Sequence, residues 1–183
     1  MKLTLFIASI VTTMIITGTS LAADFDQATS QRVKAALKIT TSAVVMGQLA
    51  SDKDVSVRVA VASNRGAAAD ILQQLALDSD SHVRMALALN INAPEAAKLI
   101  LARDEDENVR LRLAKCGYMY HSVLTILATD ISRQVRQLVA QNHNATDEIL
   151  AMLIDDADPI VRKNVREHPA YSAEILKLVA VTS

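Results

Sequence analysis

Tryptophan is absent from this 183-residue chain, and only three Tyr and two Phe are present. Platforms on which bases or sugars could stack are therefore nearly missing. Cysteine is scarce too. Cys116 stands alone, so no internal disulfide can form and the fold must hold by packing. An excess of charge of one sign is also lacking: 19 Lys and Arg face 20 Asp and Glu, a formal charge of −1. Such a balance leaves no electrostatic footprint for nucleic acid or an anionic membrane.

What is present begins with an address. Lys2 is followed by the apolar run LTLFIASIVTTMIIT, and Ser20-Leu21-Ala22 supplies the small-x-small pattern of a signal-peptidase site. Residues 1–22 read as a signal peptide cleaved after Ala22; the run is shorter than the roughly 20 residues of a spanning helix. No Cys lies beside the cleavage site, which counts against a lipoprotein. Cleavage removes one Lys and no acid, moving the formal charge from −1 to −2. The expected location is the periplasm of a Gram-negative bacterium or, otherwise, the outside of the cell, with no membrane contact after cleavage.

Beyond the leader, a 26-residue period runs through the chain. Val57-Arg58, Val83-Arg84, Val109-Arg110, Val135-Arg136 and Val161-Arg162 recur at that spacing, each Arg preceded by six residues by Asp52, Asp78, Asp104, Asp130 or Asp156. A weaker copy carries Asp26 and Arg32. A fixed period of this length marks units that bury their apolar faces by stacking on neighbours. The expected architecture is all-α, a single domain over 23–178. It divides into a degenerate unit at 23–48 and units at 49–74, 75–100, 101–126, 127–152 and 153–178, before a tail at 179–183.

Each unit carries two helical stretches. Asp54, Asp80, Asp106, Ser132 and Asp158 are predicted to cap the second helix, with Pro159 at a first helical position where its missing donor costs nothing. Asn64, Asn90 and Asn142 mark its end, as a residue type that tolerates left-handed termination. Ser42, Pro94, Thr146 and Ser172 are expected at the start of the next short helix. Ala62, Ala88, Ala114 and Ala140 keep one face small, allowing helix axes to approach to about 8–10 Å. Unit five departs with Arg166 in that slot and Ile154 in place of an Ala, as a terminal unit facing water should.

The pattern L-A-x-D-x-D-x-x-V-R-x-x-L-A-x-N resembles the leucine-rich repeat variant family and its HEAT-like relatives, over residues 23–178. The resemblance implies paired short helices, the second sometimes nearer 3₁₀, wound into a right-handed α-solenoid. One member of that family holds an iron–sulfur cluster on an N-terminal cysteine cluster. With Cys116 alone, no such cluster carries over and no cofactor is expected.

The recurring Asp and Arg are read as structural, because a residue in every unit serves something every unit needs. Each Asp is expected to end one helix and accept from backbone N–H groups or from an Arg of its own or the adjoining unit, for which the guanidinium fork is suited. Function is sought where the pattern breaks. Unit three reads CGYMYHS from Cys116 to Ser122, placing Tyr118 and Tyr120 as candidate partner anchors or as fillers between units. On the face of the second helices away from the core, Val59, Met85, Leu89 and Leu111 form a candidate apolar strip, or else pack between units. A metal site would need Cys116, His121, His143 and His168 to converge across units about 10 Å apart, against zinc–ligand distances of about 2.0–2.3 Å, so no metal ligands are assigned. His82 shares no cluster with them.

Two functions follow. One is a non-enzymatic scaffold holding a partner protein or peptide along the groove, with no role in nucleic-acid binding. The other is an enzyme or cofactor-handling protein built on the same repeats and using the Cys116/His121 region, although no Asp or Asn is recognisably poised to orient that His.

Overall fold

The computed structural model describes residues 27–171, and every regular element among them is helical. Helix α1 covers 27–37. It is followed by α2 (Ala43–Ala50), α3 (Val55–Ser63), α4 (Ala69–Leu75), α5 (Ser81–Ala88) and α6 (Glu95–Leu101). The order continues with α7 (Glu107–Lys115), α8 (His121–Leu127), α9 (Arg133–Ala140), α10 (Asp147–Leu153) and α11 (Pro159–Glu167). Residues 1–22, read above as a signal peptide, together with Asp26, Ser172 and the tail, lie outside the described residues.

Helices this short are not stable alone and must gain their stability from packing. From α2 on, each packs on its neighbour in sequence, and helices of the same kind follow one another: α3 on α5, α5 on α7, α7 on α9 and α9 on α11, with α2, α4, α6 and α8 likewise. The small positions permit this approach, and Ala62, Ala88, Ala114 and Ala140 are wholly buried. Val57, Val83, Val109, Val135 and Val161 sit beside them in one continuous apolar core, filled from the other helices by Leu72, Leu124 and Leu150.

The starts of the longer helices follow from their side chains. Asp54, Asp80, Asp106 and Ser132 each accept from the N–H two residues on. Asp158 accepts from both Ile160 and Val161, ahead of Pro159 in the first turn. Ser42 caps α2 by accepting from the Val45 N–H, three residues on. Thr146 does not cap α10: its hydroxyl lies 3.4 Å from His121 Nδ1 instead.

The helix ends differ from expectation. No described residue has positive φ, and Asn64 ends α3 at φ −76°, ψ 119°, an extended conformation. Asn64, Asn90 and Asn142 are therefore not left-handed caps. Each accepts from the N–H two residues on, at 2.7, 2.9 and 3.0 Å, closing a turn with its side chain. The amide is thereby left pointing back across the stack.

Candidate functional site

Two ladders of polar side chains hold the stacked helices in register. In the first, each Arg reaches forward 20 residues to the Asp of the following unit. The pairs are Arg32–Asp52, Arg58–Asp78, Arg84–Asp104, Arg110–Asp130 and Arg136–Asp156, with Nε–Oδ2 distances of 2.6–2.7 Å. Nη2 closes the fork on Oδ1, at 3.0 Å for Arg58, Arg84 and Arg136. Nη1 turns back to the carbonyl of the Asp in its own unit, as Arg84 does to Asp78 at 2.7 Å. The sequence leaves own-unit and adjoining-unit pairing open, and the structure uses both, carbonyl for the first and carboxylate for the second.

The free Oδ1 lone pair of each Asp accepts the N–H two residues on, at 2.9 Å in Asp52, Asp78 and Asp104. The electrostatics follow this geometry. The hydrogen bond to Asp78 holds the Arg58 guanidinium above its ordinary pKa, and Arg84, Arg110 and Arg136 are raised by the same kind of contact. Burial pushes the Asp78 carboxyl up, but the Arg58 contact and the Asp80 N–H outweigh it and leave the group below its usual range. For Asp156 the Arg136 hydrogen bond is the largest influence and depresses the pKa. Each carboxylate thus accepts from a guanidinium on both oxygens and from a backbone N–H on one, and each guanidinium is tied to two units at once.

The second ladder was not anticipated. Asn90 Nδ2 donates to the carbonyls of Ala62 and Asn64, at 2.8 and 3.0 Å, in the unit before it. Asn64 does the same toward Ala36 and Lys38, and Asn142 toward Ala114 and Cys116. His168 takes the slot in the last unit. Its Nε2 donates to the Asn142 carbonyl at 3.1 Å and its Nδ1 accepts from Ala170 N at 3.1 Å, which fixes a neutral tautomer. The signal was the 26-residue recurrence of Asn, but the reach of its amide depends on how closely the units stack.

At Cys116 this ladder is interrupted. The thiol donates to the Tyr118 carbonyl at 3.7 Å and supplies no amide for the preceding unit. The turn that follows splits its two tyrosines. Tyr118 stands 78 % exposed, whereas Tyr120 lies over the seam, its hydroxyl 3.4 Å from the Ala93 carbonyl and its ring 5.9 Å from Lys98 Nζ. Tyr120 is thus partly a filler between units, and Tyr118 is not. His121 opens α8 beside Thr146, while His143 is exposed and His168 is buried in the Asn ladder. Among the described residues, no group of three or more His, Cys, Asp and Glu is placed to hold an ion.

No protein-family model matches the chain, and no curated protein is significantly similar to it.

On the face built by α3, α5, α7 and α9, the apolar strip takes an intermediate position. Val59, Met85 and Leu111 pack against the core while remaining partly exposed, joined by Leu138, and Leu89 is the more exposed member. Met85, Leu111 and Leu138 floor an open depression of about 580 Å³ whose remaining lining is Asn108, Arg112 and Lys115. Val59 and Leu89 are not part of it. Arg112 and Lys115 are exposed, and neither meets a carboxylate among the described residues.

Lys98 escaped sequence reading altogether. It occupies the slot of Leu72, Leu124 and Leu150, one 26-residue period before and one and two after, and only 1 % of it meets solvent. The period alone would have exposed it as the one charged residue in a column of leucines.

Proposed function

We propose that the protein is a right-handed α-solenoid of about six 26-residue units, of the leucine-rich repeat variant and HEAT-like kind. On this reading it is an exported, non-enzymatic scaffold for a partner protein or peptide. The observation that carries the proposal is the depression floored by Met85, Leu111 and Leu138 and edged by Arg112 and Lys115. An apolar floor of adaptable Met and Leu suits a partner's apolar side chains. Two cations without carboxylate partners beside it favour a segment that carries acids next to those apolar residues. The occupant is therefore an acidic amphipathic peptide segment, free or within a larger protein. The recurring ionic residues favour a structural role over a catalytic one, because in every described unit they are engaged with each other and with the backbone of the stack. An enzyme centred on Cys116 and His121 draws less support, since the thiol donates to its own chain and the imidazole faces Thr146.

The test is photocrosslinking from position 108 in cells, with the crosslinked peptide identified, beside a Met85→Asp, Leu111→Asp variant and an Arg112→Glu, Lys115→Glu variant. An acidic amphipathic segment captured by the wild type and lost from both variants supports the groove. Equal capture by all three sinks it and moves the site to the Tyr118 turn.

A further inference from the structure

Two departures from the repeat fall on one seam, between the pair α5–α6 and the pair α7–α8. Lys98 of α6 stands where α4, α8 and α10 bury Leu, and its amine faces the ring of Tyr120, the residue before α8, at 5.9 Å from the centroid. It is 1 % exposed and has no carboxylate partner among the described residues. Cys116 follows α7 where Asn64, Asn90, Asn142 and His168 follow α3, α5, α9 and α11. Its thiol donates to Tyr118 of its own turn. The Ala88 and Asn90 carbonyls therefore receive no side-chain amide from the next pair, whereas Ala62 with Asn64 and Ala114 with Cys116 each receive one.

The two ends of this seam are held unequally. At the start of α7, Arg84 of α5 closes its fork on Asp104 at 2.7 and 3.0 Å and stands 3.9 Å from Glu105. Beyond the end of α7, the polar ties among the described residues are Tyr120 to the Ala93 carbonyl, at 3.4 Å, and Ser122 to Glu95 at the surface. A long hydrogen bond and one open to water hold less firmly than a buried amide that donates twice. The buried cation beside them adds a cost that Leu in the same slot avoids. We propose that this seam is the hinge of the stack: it turns on the Arg84–Asp104 rung and opens at the end of α7, while the neighbouring seams stay shut.

The groove gives the hinge a use. Met85 of α5 lies on one side of the seam, and Asn108, Leu111, Arg112 and Lys115 of α7 lie on the other, so opening draws the floor apart. Lys115 is the last residue of α7, next to Cys116 and farthest along the helix from the Arg84–Asp104 pivot, so it moves most. A segment seated on Met85 and on the α7 residues together makes its full contacts in the shut form alone. Its binding shifts the stack toward that form by its difference in affinity for the two. This regulatory part rests on the groove being the partner site; the hinge does not.

The experiment is backbone hydrogen exchange read by mass spectrometry on the full chain, for wild type, Lys98→Leu and Cys116→Asn. Helices as short as α7 and α8 hold only while packed, so an opened seam frays the turns that border it. In wild type, the end of α7 and the start of α8 should be protected at least about tenfold less than the matching turns of α3–α4 and α9–α10. Each substitution restores the residue of the other units, so loss of folding does not confuse the result. Each should raise protection at the end of α7 toward that of its neighbours and leave α3 and α9 unchanged. Equal protection at every seam of the wild type would overturn the hinge, as would weak protection at α7 that survives both substitutions. The same measurement on wild type photocrosslinked through position 108 to its captured segment reads the regulatory part, and a rise in protection at the end of α7 is expected. Unchanged protection there would overturn the regulation and leave the hinge. Failure to form any adduct would remove the regulation together with the groove as partner site, while the exchange of the free chain still decides the hinge.

Discussion

Arg110 closes both arms of its guanidinium on Asp130, 20 residues ahead, at 2.7 and 3.2 Å, while its third nitrogen meets the Asp104 carbonyl behind it at 2.6 Å. One side chain thus joins the turn of its own unit to the turn of the next. The Asp answers in kind, since the oxygen facing Nη2 also accepts the Ser132 N–H that leads into α9. Because the arrangement repeats from Arg32 to Arg136, register passes along the stack without any long helix.

Removing a central rung should therefore cost more than removing the first. Arg110 and Asp130 are 11 % and 5 % exposed at their side chains, against 30 % and 12 % for Arg32 and Asp52. Arg110→Ala should destabilise by about 2–4 kcal/mol, since it strands a nearly buried carboxylate. Arg32→Ala, nearer to a surface pair, should cost about 1 kcal/mol. Denaturant melts of the two variants compare them directly. Equal losses would mean the ladder is decoration.

The Asn ladder makes a separate forecast. Asn142→Ala leaves the Ala114 and Cys116 carbonyls without a side-chain donor, and a loss of about 2 kcal/mol is expected. Cys116→Asn should act in the opposite sense, because the preceding unit offers the same pair of carbonyls at Ala88 and Asn90. Thermal unfolding should show a rise in Tm for this variant.

Stability should respond to alkaline pH through Lys98. Its folded pKa lies below the ordinary 10.5, so between those two values the unfolded chain binds more protons than the folded one. Stability must then rise with pH across that window and level off above about 10.5. Lys98→Leu protein should melt higher than wild type at neutral pH and lose this dependence. A wild-type melting temperature independent of pH across the window would contradict the burial of the charge.

Acid works on the other partners. Asp78 and Asp156 are held below 3.8 in the fold, so their contribution is complete above that value and disappears as pH falls through their folded pKa values. Asp156→Asn should lower stability at neutral pH and flatten the decline below about pH 4. Circular dichroism along an acid titration of both proteins reads the difference; parallel curves would refute the linkage.

The period made the helices legible, and the caps set their starts to the residue at Asp54, Asp80, Asp106, Ser132 and Asp158. Thr146 was misjudged because a hydroxyl at the right position can turn to a neighbour, here His121, rather than to its own helix. The Asn residues were placed correctly as helix ends but given the wrong conformation, since their side chains close the turn without a left-handed backbone. The apolar strip was half legible. Met85 and Leu111 floor a depression that Leu138 completes, while Leu89 and Val59 lie outside it.

The division follows from the range of the forces. Capping joins residues two apart, so Asp80 and His82 settle their hydrogen bond wherever the helix goes, and the sequence by itself determined that part. Arg84 and Asp104 are 20 residues apart, and Asn90 and Ala62 are 28 apart. Whether an arm of a few ångströms spans either gap depends on the spacing and rotation of stacked helices, which only the tertiary structure decided. Lys98 shows the same dependence in energetic form. Its charge is ordinary in the sequence and costly only once packing takes away the water.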